Sequence, residues 1–545
     1  MAFKYAILTT LLVVSSFGGI DFKSLQDYPR SLAKDFYIYR FLTEQNPSPN
    51  QAWELLTQAQ RLNPTLLKAL NKHINEPGFN HAIGCLYLDS SKFWEVDSTC
   101  KAIRISPSLF VTFGIKERKE LFKNLNSSYP NAYDWMEALL EDEPFQTLLE
   151  SKHFLHVYTQ SGQNFRHEKL NHQIPNQKLQ ALSSNSLFEL FVTKVVYERI
   201  HKNIAKSLLT LHPKETAPSS RAAFLLGLNA LMHGNLELAS AWFKQSAENS
   251  YYQSNKDRAL FWKYLVSKDI NTLELVGQSW DYNMYSVAAR EKLGLEPFEL
   301  SSVEATIKNR PHYSIADPFT WRETLEFING RSPEALEAIA QDFLTQETLP
   351  HYTFIKERAT RYKEPLFIIP YSEYLEDLSN ERKALILAIA RQESRFIPAS
   401  ISTSYALGIM QFMPFLAKDI AKKEGIEGFD LSQMFQPKIA YRFADIHLDY
   451  LTSWLYHPVL VAYAYNGGIG FTKRLLMRGD LFRGGDYEPF LSMELVPYAE
   501  SCEYAKKVLA NYVAYKQILG QSVSIWDLFE KLNQPDGVDR FRSSN

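Results

Sequence analysis

One carboxylate in this sequence stands where it could do acid–base chemistry. Between Arg382 and Phe396 the pattern predicts a helix, and at 3.6 residues per turn Leu385, Ile389, Glu393 and Phe396 share one face. Glu393 therefore closes an apolar stripe. Pro398 stops the helix just beyond, so the carboxyl also sits at the negative end of the helix dipole. Desolvation and the dipole both favour the protonated form and raise the pKa. A carboxylic acid that keeps its proton near neutral pH suits general-acid cleavage of a glycosidic bond. The competing reading is a structural ion pair between Glu393 and Arg391 or Arg395, and on this helix alone it is the better one.

The next segment changes the balance. SRFIPASISTSYALGIMQFMP (394–414) holds no acidic residue, but it carries Ser400, Ser402, Thr403, Ser404 and the amide of Gln411. A glycoside hydrolase ordinarily needs a second carboxylate as nucleophile or base. This loop offers hydrogen bonds and shape, which favours a mechanism with one carboxylate. Farther on, VLVAYAYNGGIG (459–470) reads as an apolar helix stopped by Asn466, Gly467 and Gly468. The stop places Tyr465 at a helix end, with its hydroxyl free to point into a cleft. A core tyrosine before a helix cap would give the same pattern.

Three ordered motifs, Glu393-Ser394, Gly408-Ile409-Met410-Gln411 and Ala464-Tyr465-Asn466-Gly467-Gly468, resemble those of soluble lytic transglycosylases of the SLT type. A fourth stretch, 494–498 with Glu500 and Tyr504, is similar to the helix region that ends that domain. The match covers roughly residues 375–517. Ile409 and Gly467 depart from the commoner Leu and Ala, and both keep the size class. The resemblance implies a lysozyme-like α-helical catalytic domain acting on peptidoglycan glycan strands. It implies cleavage of the β-1,4 bond from N-acetylmuramic acid to N-acetylglucosamine without water, leaving 1,6-anhydro ends, with exolytic action. Glu393 would be the catalytic acid and base. Ser402, Gln411, Met413 and Tyr465 match cleft-lining positions, Asn466 belongs to the third motif, and Glu494 is the expected contact for the stem peptide. A hydrolytic muramidase using Asp445 or Asp449, and a silent peptidoglycan-binding scaffold, are the two rival readings.

The elements that must position these residues are helical throughout, so the expected fold class is all-α. Residues 25–365 read as helix after helix; one example is Ala52 to Leu62, ending at Asn63-Pro64. In AFLLGLNALMHGNLELASAWFKQSA (223–247), Gly227, Gly234, Ala239 and Phe243 fall where a tetratricopeptide-like hairpin needs small, turn, small and large residues. Such hairpins stack, because one alone cannot bury its apolar face. The expected division is a signal peptide (1–18), an α-superhelical domain (19–365), the catalytic domain (366–520) and a C-terminal tail (521–545), with a short helix around Trp526 to Leu532 and a mobile polar end, PDGVDRFRSSN. At 545 residues the chain exceeds what one core usually serves.

Lys4, the apolar run Tyr5–Val14 and the small residues around Ser16 and Gly18 follow the three zones of a secretory signal. The run is too short for the ~20 residues that span a bilayer, and no Cys follows it to carry a lipid. Export to the periplasm without a stable membrane anchor is therefore expected. Lys+Arg 59 against Asp+Glu 61 gives no basic excess, which argues against nucleic acid as a partner. The 14% aromatic content suits a sugar polymer, although most such rings pack between helices. His167 and His172, five apart, share no helix face, so no zinc site is expected. Gly468-Ile469-Gly470 lacks a third glycine and follows a helix. No cofactor is implied. Partners in cell-wall synthesis or secretion cannot be read from the sequence. Cys85 and Cys100 are spaced for a local disulfide, or all three cysteines, Cys502 included, are buried thiols.

Overall fold

A computed structural model describes residues 21–216, 218–300, 303–305 and 312–543. The segment expected to be a signal peptide, residues 1–18, lies outside them. Among the described residues the chain is helical, with three isolated β-bridges and no strand. No described helix is long and apolar enough to cross a membrane.

The hairpin in the array is built as its residues require. Ser220–Met232 and Leu236–Glu248 pack antiparallel, with Gln253–Ser267 following against the second. Gly234 turns between the first two at φ +75°, a left-handed conformation that glycine takes without strain. A Cβ on Gly227 would stand 2.6 Å from the Phe243 ring, so the two helices approach this closely only because the side chain is absent. At the N-terminal end the helix expected over 52–62 runs instead over Pro49–Gln58. Asn63 then caps a separate helix, Pro64–Asn71, by accepting from the Leu66 N–H. Cys85 and Cys100 form a disulfide, and Cys502 is a buried thiol.

The Asn380–Ser394 helix starts at Ser379, whose hydroxyl accepts from the Arg382 N–H. It ends two residues sooner than the sequence pattern suggests, because Arg395 and Phe396 both take left-handed conformations (φ 56° and 65°). Its long neighbour is Ala499–Ile518, and Pro458–Gly467 packs on that neighbour in turn. Between them the 395–413 loop is pinned by bridges Ile401 to Leu407 and Leu407 to Phe412.

The array returns to the helices of residues 366–520 in several places. Arg40 pairs with Asp430 and donates to Ser432 Oγ at 2.8 Å, Phe36 packs on Tyr405 and Phe435, and Arg199 bridges Asp480 at 2.9 Å. Among the described residues the main apolar cluster runs from Leu25 to Val538, with a small second one at Trp321, Ile397 and Ala399. The C-terminal segment is not the mobile tail its polarity suggests. Val538 O accepts from the Tyr456 N–H at 2.8 Å, Arg540 N–H donates to Trp454 O, and the buried pair Asp539–Arg542 reaches Phe482 O. The apolar side of Ile525–Leu532 carries this segment against Phe490.

Candidate active site

Glu393 lies on the last turn of its helix, half-buried, with its carboxyl Oε1 accepting from the Tyr504 hydroxyl at 2.7 Å. Burial pushes its pKa from the ordinary 4.5 up to about 7; the Tyr504 hydrogen bond opposes that shift and the charge of Glu500 adds to it. The ion pair that would have lowered it does not form. Arg391 and Arg395 both turn to Glu357 on the Leu349–Ala359 helix, Arg391 at 2.8 Å. Glu357 is almost fully buried. Desolvation raises its carboxyl, but the two guanidiniums outweigh that and hold it below its usual range. The array thus draws both nearby cations away from Glu393.

The loop facing Glu393 is held from two sides. Ser394 Oγ donates to Ile409 O at 2.8 Å, and Tyr465 Oη donates to Met410 O at 2.8 Å. Gly408 makes the tight turn at φ +75°; a Cβ there would stand 2.1 Å from Met434 O. Gln411 follows at φ 50° and spends its amide N–H groups on Ser400 O and Gly408 O, leaving its carbonyl oxygen without a hydrogen bond from any described residue. Met413 is half-buried just before the Pro414–Lys423 helix. Burial raises the phenols of both Tyr465 and Tyr504, and the nearby charge of Glu393 raises them further.

The expected site residues therefore divide. Glu393, Tyr465 and the loop carrying Gln411 and Met413 come together. Ser402 accepts from the Ser404 and Ala406 N–H groups and shapes the loop's outer turn. Asn466 accepts from Ser501 Oγ at 2.6 Å, tying the Tyr465 helix to the Tyr504 helix, and lines a cavity of about 510 Å³ with Arg474, Tyr498 and Glu500. Glu494 does not face a ligand. It is 3% exposed and bonded by Lys506, Trp262 and Tyr285, with Arg258 3.9 Å away. An isolated carboxylate could not be buried this deeply, so these partners explain its place and exclude it from peptide contact.

Tyr504 and Glu500 were not singled out as site residues, although they stand four apart and so share a helix face. Nothing in the sequence marked Glu357. Asp445 and Asp449, the carboxylates a hydrolase would have needed, both pair with Arg382. Arg382 is eleven residues from Glu393 on the same helix, about 16 Å along its axis, so neither carboxylate is held at the site. Two clusters have metal-ligand residue types among the described residues. In one, Cys85 and Cys100 are consumed by their disulfide; in the other, Glu494 and Glu503 are held by Lys506 and Arg258.

Residues 371–479 match the family model described as the transglycosylase SLT domain. A Haemophilus influenzae protein, provisionally named a soluble lytic murein transglycosylase, is 25% identical over 311 residues, 52% of this chain and 49% of the relative. The soluble lytic murein transglycosylase of Escherichia coli K12 is 26% identical over 172 residues, 31% of this chain and 26% of that protein. The chain thus spans half or less of the length of these relatives. The solved structure of an inactive mutant of lytic transglycosylase Slt from Pseudomonas aeruginosa is similar at 16% identity and a TM-score of 0.49, covering 92% of this chain and 94% of that one. The family match falls on the segment that carries Glu393, the Gly408 loop and Tyr465, and the chain therefore carries a transglycosylase SLT domain at residues 371–479.

Proposed function

We propose that this protein is a lytic transglycosylase that cleaves the N-acetylmuramic acid to N-acetylglucosamine bond of peptidoglycan and leaves 1,6-anhydro ends. The observation that carries this reading is a single carboxyl, raised to about 7, whose neighbouring cations are both engaged elsewhere. In the first step the protonated Glu393 gives its proton to the bridging oxygen as the C1–O bond breaks. The 2-acetamido carbonyl of the muramic residue supports the charge at C1. In the second step the C6 hydroxyl bonds to C1 and its proton returns to the Glu393 carboxylate, so the acid is regenerated without water. Tyr504 orients the carboxyl, and Tyr465 braces the Met410 turn. Gln411, with its free carbonyl, and Met413 line the glycan path, and Ser402 shapes the turn that presents them.

Stem-peptide recognition belongs in this reading to the cavity of Asn466, Arg474 and Glu500, where opposite charges suit a zwitterionic peptide. Action from strand ends, in the periplasm, with residues 19–365 as the array and 366–520 as the catalytic part, completes the proposal. The charge of Glu500 on Glu393 favours one second reading, a hydrolase in which Glu500 activates water. Digestion of purified sacculi, with muropeptides read by mass spectrometry, decides. Anhydro ends from the wild type and none from Glu393→Gln support the transglycosylase. Reducing ends, lost in Glu500→Gln, support the hydrolase. A wild type that makes no product but still binds sacculi would leave a scaffold.

A further inference from the structure

The two long helices of the site have a second face. Behind Glu393 and Tyr504, the Asn380–Ser394 and Ala499–Ile518 helices line a cavity of about 290 Å³ whose opposite wall is the helical array. Five Lys or Arg side chains and three Asp or Glu line it, so cations are in excess. Their pairing shows which is free. Arg391 and Arg395 share Glu357, and Arg258 and Lys506 share Glu503. Lys507 is exposed and makes no salt bridge among the described residues, although its charge is felt by the Asp281 and Glu503 carboxyls. Asn255 from the array and Gln392 from the Glu393 helix also line the cavity, and neither side chain has a hydrogen bond among the described residues. Three elements therefore aim unspent polar groups at one space.

Exposed aromatic residues stand next in sequence to two of the lining segments. Tyr251 and Tyr252 are 92% and 66% exposed, and Trp280 is 44% exposed. Their two loops are joined, since Gln253 and Ser279 both donate to Asp257, at 2.7 and 2.6 Å. Tyr252 stands two residues before the lining residue Ser254, and Trp280 immediately before the lining residue Asp281. A lone exposed ring is ordinary on a protein surface, but three on the joined loops that lead into a cation-rich cavity lined with amides offer faces on which sugar rings can stack.

We propose that this cavity is a second, non-catalytic binding site for a peptide-bearing amino-sugar unit, with its carboxylate beside Lys507, its amide groups against Asn255 and Gln392, and a sugar ring on the exposed aromatics of the adjoining loops. The ligand class rests on the function proposed above; the cavity and its free groups do not. The unit could belong to a strand still being cut or to a released product. Because Glu393 and Gln392 are adjacent on one helix, an occupant bears on the back of the element that carries the acid.

The test is calorimetric titration of the full chain carrying Glu393→Gln with a purified disaccharide-tetrapeptide. Two equivalents are expected. Adding Lys507→Glu should weaken one of them about tenfold, the worth of one charge-assisted hydrogen bond, and Lys507→Arg should restore it. A single equivalent, or two that Lys507→Glu leaves unchanged, would overturn the site. With Glu393 intact, Lys507→Glu should slow digestion of sacculi and spare a short soluble strand if the site holds uncut strands. If it holds product, the same change should instead relieve product inhibition on both substrates. Absence of wild-type cleavage with two equivalents still bound would fault the proposed reaction alone, and cleavage with one equivalent would fault this site alone.

Discussion

The residue that matters most is tuned by what is kept away from it. Glu393 was legible because its signal is local: a carboxylate ending an apolar stripe, followed by a loop without acids. The fate of Arg391 and Arg395 was not, because Glu357 stands 34 and 38 positions upstream of them on another part of the fold. The consequences for pH follow from the sign of the shift. With the folded pKa raised from 4.5 to about 7, the acid form needed for the first step is lost as pH rises through 7, so cleavage should fall above that pH. Tyr504→Phe removes a hydrogen bond that favours the ionised form. The alkaline limb of the pH–rate profile should then move to higher pH, while the rate drops about tenfold as the carboxyl loses its orientation. The same shift is a stability statement. Below 4.5 both states hold the proton and nothing is lost. Above 7 the folded state bears the cost of ionising a buried carboxyl, about 3 kcal/mol at most. Glu393→Gln should therefore be more stable than the wild type at pH 8 by up to that amount and equal to it near pH 4, as read by denaturant unfolding.

At the scale of elements, the loops depend on backbone geometry that sequence patterns only hint at. The helix stop at Gly468 was readable, since a glycine after an apolar helix is a direct statement about φ. The stop at Arg395 and Phe396 was not, because non-glycine residues rarely take positive φ and do so here under tertiary constraint. Gly408 is the element-scale test. Its turn sits against Met434 O, so Gly408→Ala must either move that carbonyl or flatten the turn, and it should cost roughly 3 kcal/mol. Cleavage should fall further than stability does, because the turn carries Met410 and Gln411; melting and sacculus digestion of one preparation would separate the two effects. The Glu357 contact makes a second test. Glu357→Gln leaves Arg391 buried without a counter-charge, and about 3 kcal/mol should be lost in chemical denaturation.

At the scale of the molecule, the sequence named the class of architecture but not its closure. Hairpin spacing at Gly227, Gly234 and Phe243 predicts stacking, and stacking alone leaves open where the array returns. That return depends on pairs such as Arg40–Asp430, separated by 390 positions, which no local pattern encodes. The same blindness misjudged the C-terminal residues: PDGVDRFRSSN is polar enough to read as a tail, yet Asp539 and Arg542 satisfy each other inside the fold and free the apolar side of Ile525–Leu532 to pack. Ile525, Leu528, Phe529, Leu532 and Val538 are all buried there. At about 2 kcal/mol for each such side chain, their burial contributes on the order of 10 kcal/mol, comparable with the whole net stability of a folded domain. A chain ended at Gln521 should therefore fail to accumulate as soluble protein, or should melt far below the full chain. If such a chain instead matched the full protein in melting temperature and in muropeptide yield, the segment would be an appendage and the main apolar core would end before it.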